Sequence, residues 1–289
     1  MSSETQAPTK TYRGNCHCGA FVYEAEVPEI KSAMQCGCSI CFKKGYLLIF
    51  TPASTVKIVK GNLDDLTTYE FGSKKISHMF CPKCGVSAIG KGDTPNGTLF
   101  IVSKGWIPML WKRPPGGEKI GQEHVVPEYS GPEPTAEIEG SRMYYGSCHC
   151  GAVTFALRSK PIDKNYDGFG PVAPIAECTC SICERYGVVW IYPNKDQLVI
   201  QGWDSITDYT FNSGMVLKSF CKKCGVLIAN KVRDLTQDEM DKLDEATRAF
   251  AKANNLYPVN IRALDNFTLD ELDIKVVPGH KHGTPYVNP

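Results

Sequence analysis

The sequence predicts a mainly β protein built from two tandem homologous domains, with one helix inserted in the second. Three observations support this class. The chain has 289 residues, which is long for one compact domain and suits two domains of about 130 residues each. One series of cysteine motifs occurs twice along the chain. Short runs rich in β-branched and aromatic residues, bounded by turn-forming residues, are typical of strands.

The repeated motifs define the domain organisation. C-x-C, C-x-C-x-x-C and C-x-x-C-G follow one another in the same order in both halves, which indicates a duplicated domain. The motifs cover Cys16–Cys18, Cys36–Cys41 and Cys81–Gly85 in the first half, and Cys148–Cys150, Cys178–Cys183 and Cys221–Gly225 in the second. We predict a first domain over 12–111, a linker over 112–143, a second domain over 144–277 and a tail over 278–289.

Eight strands and one helix are predicted. The strand segments are Phe21–Ala25, Tyr46–Phe50, Val56–Val59, Thr67–Phe71, Val153–Leu157, Val188–Tyr192, Gln197–Ile200 and Asp208–Phe211. The helix begins at the capping box Thr236–Glu239, after which Met240, Leu243 and Phe250 recur at helical spacing. Because the first half has no counterpart of this helix, we expect an inserted packing element.

Composition and charge exclude several classes of protein. Hydrophobic residues make up 42% and charged residues 22%, as in ordinary globular proteins and unlike disordered ones. No apolar run is long enough for a membrane span. The balance of 32 basic to 31 acidic residues gives no general attraction for nucleic acid or anionic membranes. We expect a small-molecule partner rather than nucleic acid or a membrane; the sequence leaves the oligomeric state open.

The cysteines are expected to bind metal. The amino-terminal segment lacks the apolar region of a secretory signal, so we expect a cytoplasmic protein, where clustered cysteines are typically metal ligands rather than disulfides. Each half has seven of the 14 cysteines. Two short pairs far apart in sequence commonly build a closed four-ligand zinc site. We assign Cys16, Cys18, Cys81 and Cys84 to one structural zinc, and Cys148, Cys150, Cys221 and Cys224 to another.

Glycines follow each of these pairs. They are expected to form tight turns that point backbone N–H groups at the sulfur atoms. The four positions are Gly19, Gly85, Gly151 and Gly225.

A triplet of cysteines remains in each half. The triplets are Cys36, Cys38 and Cys41, and Cys178, Cys180 and Cys183. Three ligands on one loop leave a fourth position of zinc open, which is typical of a catalytic site. The sequence thus predicts up to four zinc ions per chain. The alternatives are a site that His78 closes in the first half, a redox-active triplet, or no metal. Lys218 replaces His78 in the second half, and His17 and His149 should point away from the metal because each lies between two ligands.

A zinc ion with three thiolate ligands has a definite chemical character. The formal charge of such a site is −1, so the ion is a poor Lewis acid for generating hydroxide. It is better suited to hold an incoming thiol as a thiolate, or to release one. The triplets therefore favour sulfur chemistry on a small thiol over hydrolysis of peptides or phosphates.

The motifs, in this order, resemble the family of glutathione-dependent formaldehyde-activating enzyme and centromere protein V. The matching stretches are G-x-C-x-C-G-A, C-x-C-S-x-C and F-C-x-x-C-G, within about 12–110 and 144–277. The resemblance implies a zinc-ribbon-like β fold with a structural four-cysteine zinc and a catalytic three-cysteine zinc. It also implies carbon–sulfur lyase or synthase activity on a glutathione adduct, with glutathione as co-substrate.

The two halves differ in one further motif of this family, N-x-R-x-L-D. The first half lacks it, and the second half has it at Asn260, Arg262, Leu264 and Asp265. We therefore expect Cys178, Cys180 and Cys183 to carry most of the turnover. Arg185, Asn260 and Arg262 are expected to bind the glutathionyl group, since an arginine offers a planar fork for a carboxylate.

Several assignments stay open in the sequence. Lys43 and Lys44 are expected either to contact the carboxylates of a glutathionyl group or to be exposed to solvent. Ser39 and Ser181 either donate to a metal-bound sulfur or cap their loops. His280 and His282 lie in a tail that is expected in solvent, or that folds over a site. The alternative to an enzyme is a non-enzymatic zinc-ribbon module that binds protein or nucleic acid. A methionine sulfoxide reductase is disfavoured because no cysteine is left to act as the redox nucleophile.

Overall fold

The computed structural model describes residues 8–94, 97–102, 124–252, 255–281 and 285–289. Residues 103–123, which include the end of the predicted first domain and the first part of the predicted linker, lie outside the described residues, as does His282.

The first half forms two antiparallel sheets. Its strands are β1 Thr9–Asn15, β2 Val22–Pro28, β3 Ile49–Pro52, β4 Val56–Lys60, β5 Thr67–Tyr69, β6 Ile76–Phe80, β7 Ser87–Thr94 and β8 Gly97–Val102. The smaller sheet has the order β1-β2-β4 and the larger one β3-β8-β7-β6-β5. Alternation of side chains fixes the register in the smaller sheet: Tyr23 and Ala25 are buried, while Glu24 lies opposite Arg13 and pairs with it.

The second half repeats this arrangement. Its strands are β9 Arg142–Ser147, β10 Thr154–Ser159, β11 Ala176–Cys178, β12 Trp190–Ile191, β13 Leu198–Gln201, β14 Ile206–Tyr209, β15 Val216–Cys221, β16 Leu227–Val232, β17 Val259–Asn260 and β18 Lys275–Val277. The orders are β13-β10-β9 and β14-β15-β16-β17-β12-β11-β18. The sheets match those of the first half strand for strand, and β11 and β18 extend the larger one. The predicted mainly β class is confirmed.

In the described part of the chain, four short α-helices accompany the sheets. They are α1 Ser39–Lys43, α2 Ser181–Tyr186, α3 Gln237–Asp241 and α4 Glu245–Lys252. The predicted capping box is confirmed, because Thr236 Oγ1 accepts from the Glu239 N–H and the Glu239 carboxylate accepts from the Thr236 N–H. The single predicted helix is nevertheless two helices. Asp244 accepts from the Thr247 N–H and starts α4, while Arg248 donates to three carbonyls at the end of α3.

The two halves meet through equivalent residues. A Cβ on Gly45 would lie 2.2 Å from the Gly187 carbonyl oxygen, and one on Gly187 would lie 2.6 Å from that of Gly45. Phe80 and Phe220 meet edge to face, with ring centroids 6.5 Å apart. The two larger hydrophobic core clusters each contain side chains of both halves. Each half therefore depends on the other for part of its burial.

A buried ion pair ties the halves together. Lys43 Nζ lies 2.7 Å from Asp265 Oδ1, and both side chains are 6% exposed. The ammonium also donates to the carbonyls of Ser147 and Ala263, each at 3.1 Å. Lys44 is buried too and donates to Ser87 Oγ at 3.0 Å. The sequence left two possibilities for these lysines, contact with the carboxylates of a ligand or exposure to solvent. Both are wrong, because the two side chains are buried between the halves.

None of the described helices could cross a membrane, since none combines the necessary length and apolarity.

Candidate metal centres and active site

The cysteine sulfur atoms form four clusters. In each cluster the sulfur atoms lie within 4.8 Å of one another, and every cysteine is a free thiol. The clusters are Cys16, Cys18, Cys81 and Cys84; Cys148, Cys150, Cys221 and Cys224; Cys36, Cys38 and Cys41; and Cys178, Cys180 and Cys183. This is the division into four and three that the motif spacing predicts.

The four-cysteine clusters have the dimensions of a tetrahedral zinc site. The Sγ–Sγ distances are 3.6 Å for Cys16–Cys18 and 3.5 Å for Cys148–Cys150. A zinc–sulfur bond of about 2.3 Å in a tetrahedron requires sulfur atoms about 3.8 Å apart. The donor set and spacing therefore fit zinc, and burial of most of the eight sulfur-bearing residues fits a closed structural site.

Turns after the ligand pairs shape these clusters. The four predicted turn glycines have positive φ angles, between 67° and 76°. Their N–H groups donate to carbonyls rather than to sulfur, as Gly19 does to Cys16. The sulfur atoms instead accept from Phe21, at 3.3 Å from Cys16 Sγ, and from Val153, at 3.2 Å from Cys148 Sγ. The N–H···S bonds in these clusters thus come from residues other than the turn glycines, and they include one from Lys223 to Cys221 Sγ at 3.4 Å.

Each triplet lies at the amino end of a short helix. Cys38 and Cys180 directly precede α1 and α2, and their N–H groups point at Cys36 Sγ and Cys178 Sγ at 3.4 and 3.5 Å. Across the described residues, no fourth Cys, His, Asp or Glu joins either group of donors. Three sulfur atoms from one loop can hold a zinc ion and leave one coordination position for a ligand from outside the protein.

A cavity opens beside the first triplet. It measures about 420 Å³, and the first triplet, Tyr46, Leu48, Phe71 and His78 are among its lining residues. His78 stacks on Tyr46 and Phe71, with ring centroids 6.1 and 5.7 Å apart. Burial, with a smaller effect of the Lys44 ammonium, lowers the pKa of His78 to about 4. A neutral His78 thus forms part of the wall of this cavity and lies outside the donor cluster.

The second triplet has different neighbours. Trp190 replaces Leu48, and its Nε1 donates to Cys183 Sγ at 3.4 Å. Lys218 replaces His78, and its Nζ lies 3.9 Å from Cys183 Sγ. The tail packs over this loop: a Cβ at Gly279 would lie 2.3 Å from Cys178 Sγ. The tail was expected either in solvent or folded over a site. In the structure, its described part folds over the second triplet.

The end of the chain continues from this cover to the first half. Thr179 Oγ1 and His280 Nδ1 are 2.7 Å apart, which anchors the tail beside the second triplet. Further on, Tyr286 stacks on His17 with centroids 4.5 Å apart, and Asn288 accepts from Arg185 at 2.6 Å. The tail therefore bridges the second triplet and the first structural site.

Two histidines cross between the halves. His17 contacts Tyr209 OH at 2.8 Å and Ser181 Oγ at 2.9 Å. His149 contacts Tyr69 OH at 2.7 Å and Ser39 Oγ at 2.8 Å. Each histidine lies between two ligands of a structural site and holds the triplet helix of the other half. Both point away from the metal that their neighbours would bind, as predicted.

These contacts also revise the assignment of the serines. Ser39 and Ser181 neither cap their helices nor donate to sulfur; they bond to the histidines of the opposite half. Burial lowers the pKa of His17 to about 4 and that of His149 to about 3, so both rings are neutral near pH 7. The matched positions of the histidines, and of Tyr69 and Tyr209, across the repeat were the signal for this pairing.

The three predicted glutathione-binding residues are engaged within the protein. Arg185 donates to the Ser181 carbonyl at 2.7 Å, and Asn260 donates to the Leu227 carbonyl at 2.9 Å. Arg262 is buried, and one of its guanidinium nitrogens lies 3.4 Å from the Phe42 carbonyl of the first half. These contacts give the side chains roles in the fold, and binding of a glutathionyl carboxylate by them stays a prediction.

Comparison with known proteins agrees with the motifs. The family model described as "Glutathione-dependent formaldehyde-activating enzyme" matches residues 11–115 and 143–247, which together exceed half of the chain. A crystal structure of a Rhodobacter sphaeroides protein is similar at 28% identity, over 34% of this chain and 89% of that one, with a TM-score of 0.30. On the two tandem family matches, the chain belongs to the glutathione-dependent formaldehyde-activating enzyme family.

Proposed function

We propose that the protein is a zinc-dependent carbon–sulfur lyase or synthase that cleaves or forms a glutathione adduct. The observation that carries the proposal is the first triplet, whose three sulfur atoms lie beside a cavity with no fourth protein donor among the described residues. Membership of the family supports glutathione as the thiol. The proposed metal complement is four zinc ions, held by the two closed clusters and the two triplets.

Two groups of residues beside the cavity have distinct proposed roles. Cys36, Cys38 and Cys41 would hold the ion, which when bound supplies a position that stabilises a substrate sulfur as thiolate. Ser39, bonded to His149, fixes the helix that follows Cys38. The walls of the cavity are largely apolar, and its open side gives the substrate hydroxyl group access to solvent.

The bond changes follow from the chemistry of such adducts. In cleavage of an S-(1-hydroxyalkyl) adduct, the carbon–sulfur bond breaks and its electron pair stays on sulfur. The hydroxyl group loses its proton to solvent, and the carbon–oxygen double bond of an aldehyde forms. Synthesis is the reverse, with the thiolate sulfur attacking the carbonyl carbon. No oxidant or reductant takes part in either direction.

The two triplets differ in their surroundings. Cys178, Cys180 and Cys183 remain proposed zinc ligands, but Gly279 lies against Cys178 and the buried Trp190 contacts Cys183. An adduct at that site would meet the tail beside Cys178, although Cys178 and Cys180 are only half-buried. Because a cavity opens beside the first triplet, we place the main turnover there, in contrast to the expectation drawn from N-x-R-x-L-D.

Mass spectrometry of adducts incubated with the zinc-loaded full chain tests the function. S-(Hydroxymethyl)glutathione and larger hemithioacetals of glutathione are the probes, and Ser54→Ala, an exposed position, is the control variant. We expect wild type and control to accelerate formation or cleavage over buffer, and Cys38→Ser to lose at least about a hundredfold. A zinc-loaded protein that accelerates none of these reactions would contradict the proposal and favour a non-enzymatic binding module.

A further inference from the structure

The cavity beside the first triplet is much larger than a hydroxymethyl group requires. Its volume is about 420 Å³. An engineered apolar cavity of about 150 Å³ in another protein suffices to bind benzene, and pockets for drug-sized ligands begin at about 300 Å³. A hydroxymethyl group has two heavy atoms, and these would fill roughly the space of two water molecules, or about 60 Å³. Most of the cavity is therefore available for another part of the substrate.

The lining of the cavity is largely apolar. Leu48 and Ile89 are buried in its wall and Phe71 contributes an aromatic face. Phe50 and Ile76 also line the cavity and are 45% and 39% exposed, so they form an apolar mouth. A ligand that covers these surfaces gains binding energy from the apolar area it removes from water.

The polar groups in the wall are already engaged or lie at the edge. Ser87 Oγ accepts from Lys44 at 3.0 Å and from Tyr46 at 2.7 Å. His78 is neutral and stacked between aromatic rings. Lys75 is exposed at the rim, where its ammonium can meet a carboxylate of a peptide-like thiol. The interior thus favours an apolar group and the edge an anionic one.

The second half carries a larger side chain at the position of Leu48. Trp190 occupies the position of Leu48 in the repeat and is 2% exposed, and its indole lies against the second triplet. One aligned position therefore carries a leucine beside the cavity of the first half and a bulkier tryptophan against the second triplet. A larger side chain at Leu48 would accordingly reduce the volume of the cavity.

We propose that the cavity binds a bulky apolar substituent, aromatic or long aliphatic, carried on the sulfur of a glutathione conjugate. The sulfur lies at Cys36, Cys38 and Cys41, the apolar group fills the cavity towards Leu48 and Ile89, and the carboxylates lie near Lys75. The glutathionyl part of this inference rests on the proposed function; the apolar part rests on the cavity alone.

Equilibrium binding to the zinc-loaded full chain tests the inference, with S-hexylglutathione and S-methylglutathione as probes. Each fully buried methylene strengthens binding by about fourfold, so five fully buried methylenes would give a ratio of affinities of about 1,000. Because the cavity is partly open and buries only part of the chain, we expect a ratio of about 100. We expect Leu48→Trp, which imitates the second half, to reduce this ratio by about tenfold or more. Val59→Trp, which adds the same side chain at an exposed position outside the cavity, should keep the ratio of the wild type.

A second variant guards against a folding defect in Leu48→Trp. Ile76→Glu places a charge at the exposed mouth, where it is compatible with the fold, and should also lower the ratio. The inference is overturned if the wild type binds the two probes with nearly equal affinity. It is also overturned if neither Leu48→Trp nor Ile76→Glu changes the ratio of affinities. Both conclusions hold whatever the turnover of S-(hydroxymethyl)glutathione. If the wild type turns over no adduct but binds S-hexylglutathione more tightly than S-methylglutathione as expected, the proposed function is overturned. The inference of an apolar binding site is then still supported.

Discussion

Replacement of Lys43 by methionine should destabilise the protein more than any surface substitution. The Lys43 ammonium bonds to the Asp265 carboxylate at 2.7 Å and to the carbonyls of Ser147 and Ala263. Methionine keeps most of the length and apolar stem of the side chain and removes all of these bonds. Asp265 then keeps one donor beside it, Ser147 Oγ at 2.9 Å, although its side chain is 6% exposed.

The magnitude follows from the burial of the pair. Removing one partner of a buried ion pair leaves an uncompensated charge and costs about 3–5 kcal/mol. Proteins of ordinary stability have a free energy of unfolding of about 5–15 kcal/mol, so the variant should lose a large fraction of it. Because Lys43 and Asp265 belong to different halves, the loss should weaken the interface between them.

Urea denaturation of the zinc-loaded protein, followed by circular dichroism, measures the effect. The matched control is Lys160→Met, which breaks the exposed pair with Asp167 and should cost at most about 1 kcal/mol. The double variant Lys43→Met/Asp265→Leu should recover most of the loss, since apolar replacement of a whole buried pair is often neutral. A Lys43→Met variant within about 1 kcal/mol of the wild type would refute this account of the interface.

Three further predictions concern metal, the crossing histidines and pH. Zinc analysis of freshly purified protein should approach four ions per chain, and mild chelation should remove the ions of the triplets first, since those sites keep an open position; a reproducible value of two would contradict zinc at the triplets. His149→Phe should lower zinc affinity at the first triplet, in the opposite half, by about tenfold, because second-sphere partners such as Ser39 orient the ligands; His149→Gln should restore part of it, and equal affinities of His149→Phe and wild type would contradict the coupling. Burial lowers the pKa of His78 from 6.5 to about 4 in the folded protein. As the pH falls below about 6.5, His78 of the unfolded chain therefore takes up a proton while His78 of the folded protein stays neutral. Stability from this group therefore declines as the pH falls from 6.5 towards 4, and His78→Phe should lose about 2 kcal/mol less than the wild type between pH 7 and 5 in urea denaturation; equal losses would show that His78 is protonated in the folded protein.

Much of the fold and of the metal clusters follows from the sequence alone. The repeat of three cysteine motifs determines both the duplicated sheets and the grouping of sulfur atoms, because ligand pairs on tight turns are local features. The capping box at Thr236 is local as well. The break between α3 and α4 was missed because Leu243 continues the apolar pattern across it, and α1 and α2 were missed because each has only five or six residues.

Features that depend on how the halves pack were beyond the sequence. The crossing of His149 to Ser39 and the pairing of Lys43 with Asp265 join residues more than a hundred positions apart. No periodicity or spacing encodes such contacts, since they arise from the shape of two whole surfaces. The cover of Gly279 over Cys178 is of the same kind, because a Gly- and Pro-rich tail carries no pattern that fixes its path.

The central claim is that the first triplet, beside the cavity, performs the reaction. Matched variants Cys38→Ser and Cys180→Ser test it through kcat/KM for one glutathione adduct, after each is shown to be folded and its zinc content measured. We predict a loss of at least about a hundredfold for Cys38→Ser and of less than about tenfold for Cys180→Ser. Equal losses would contradict the assignment of the main turnover to the first triplet. A larger loss for Cys180→Ser would show that the second triplet carries most of the turnover.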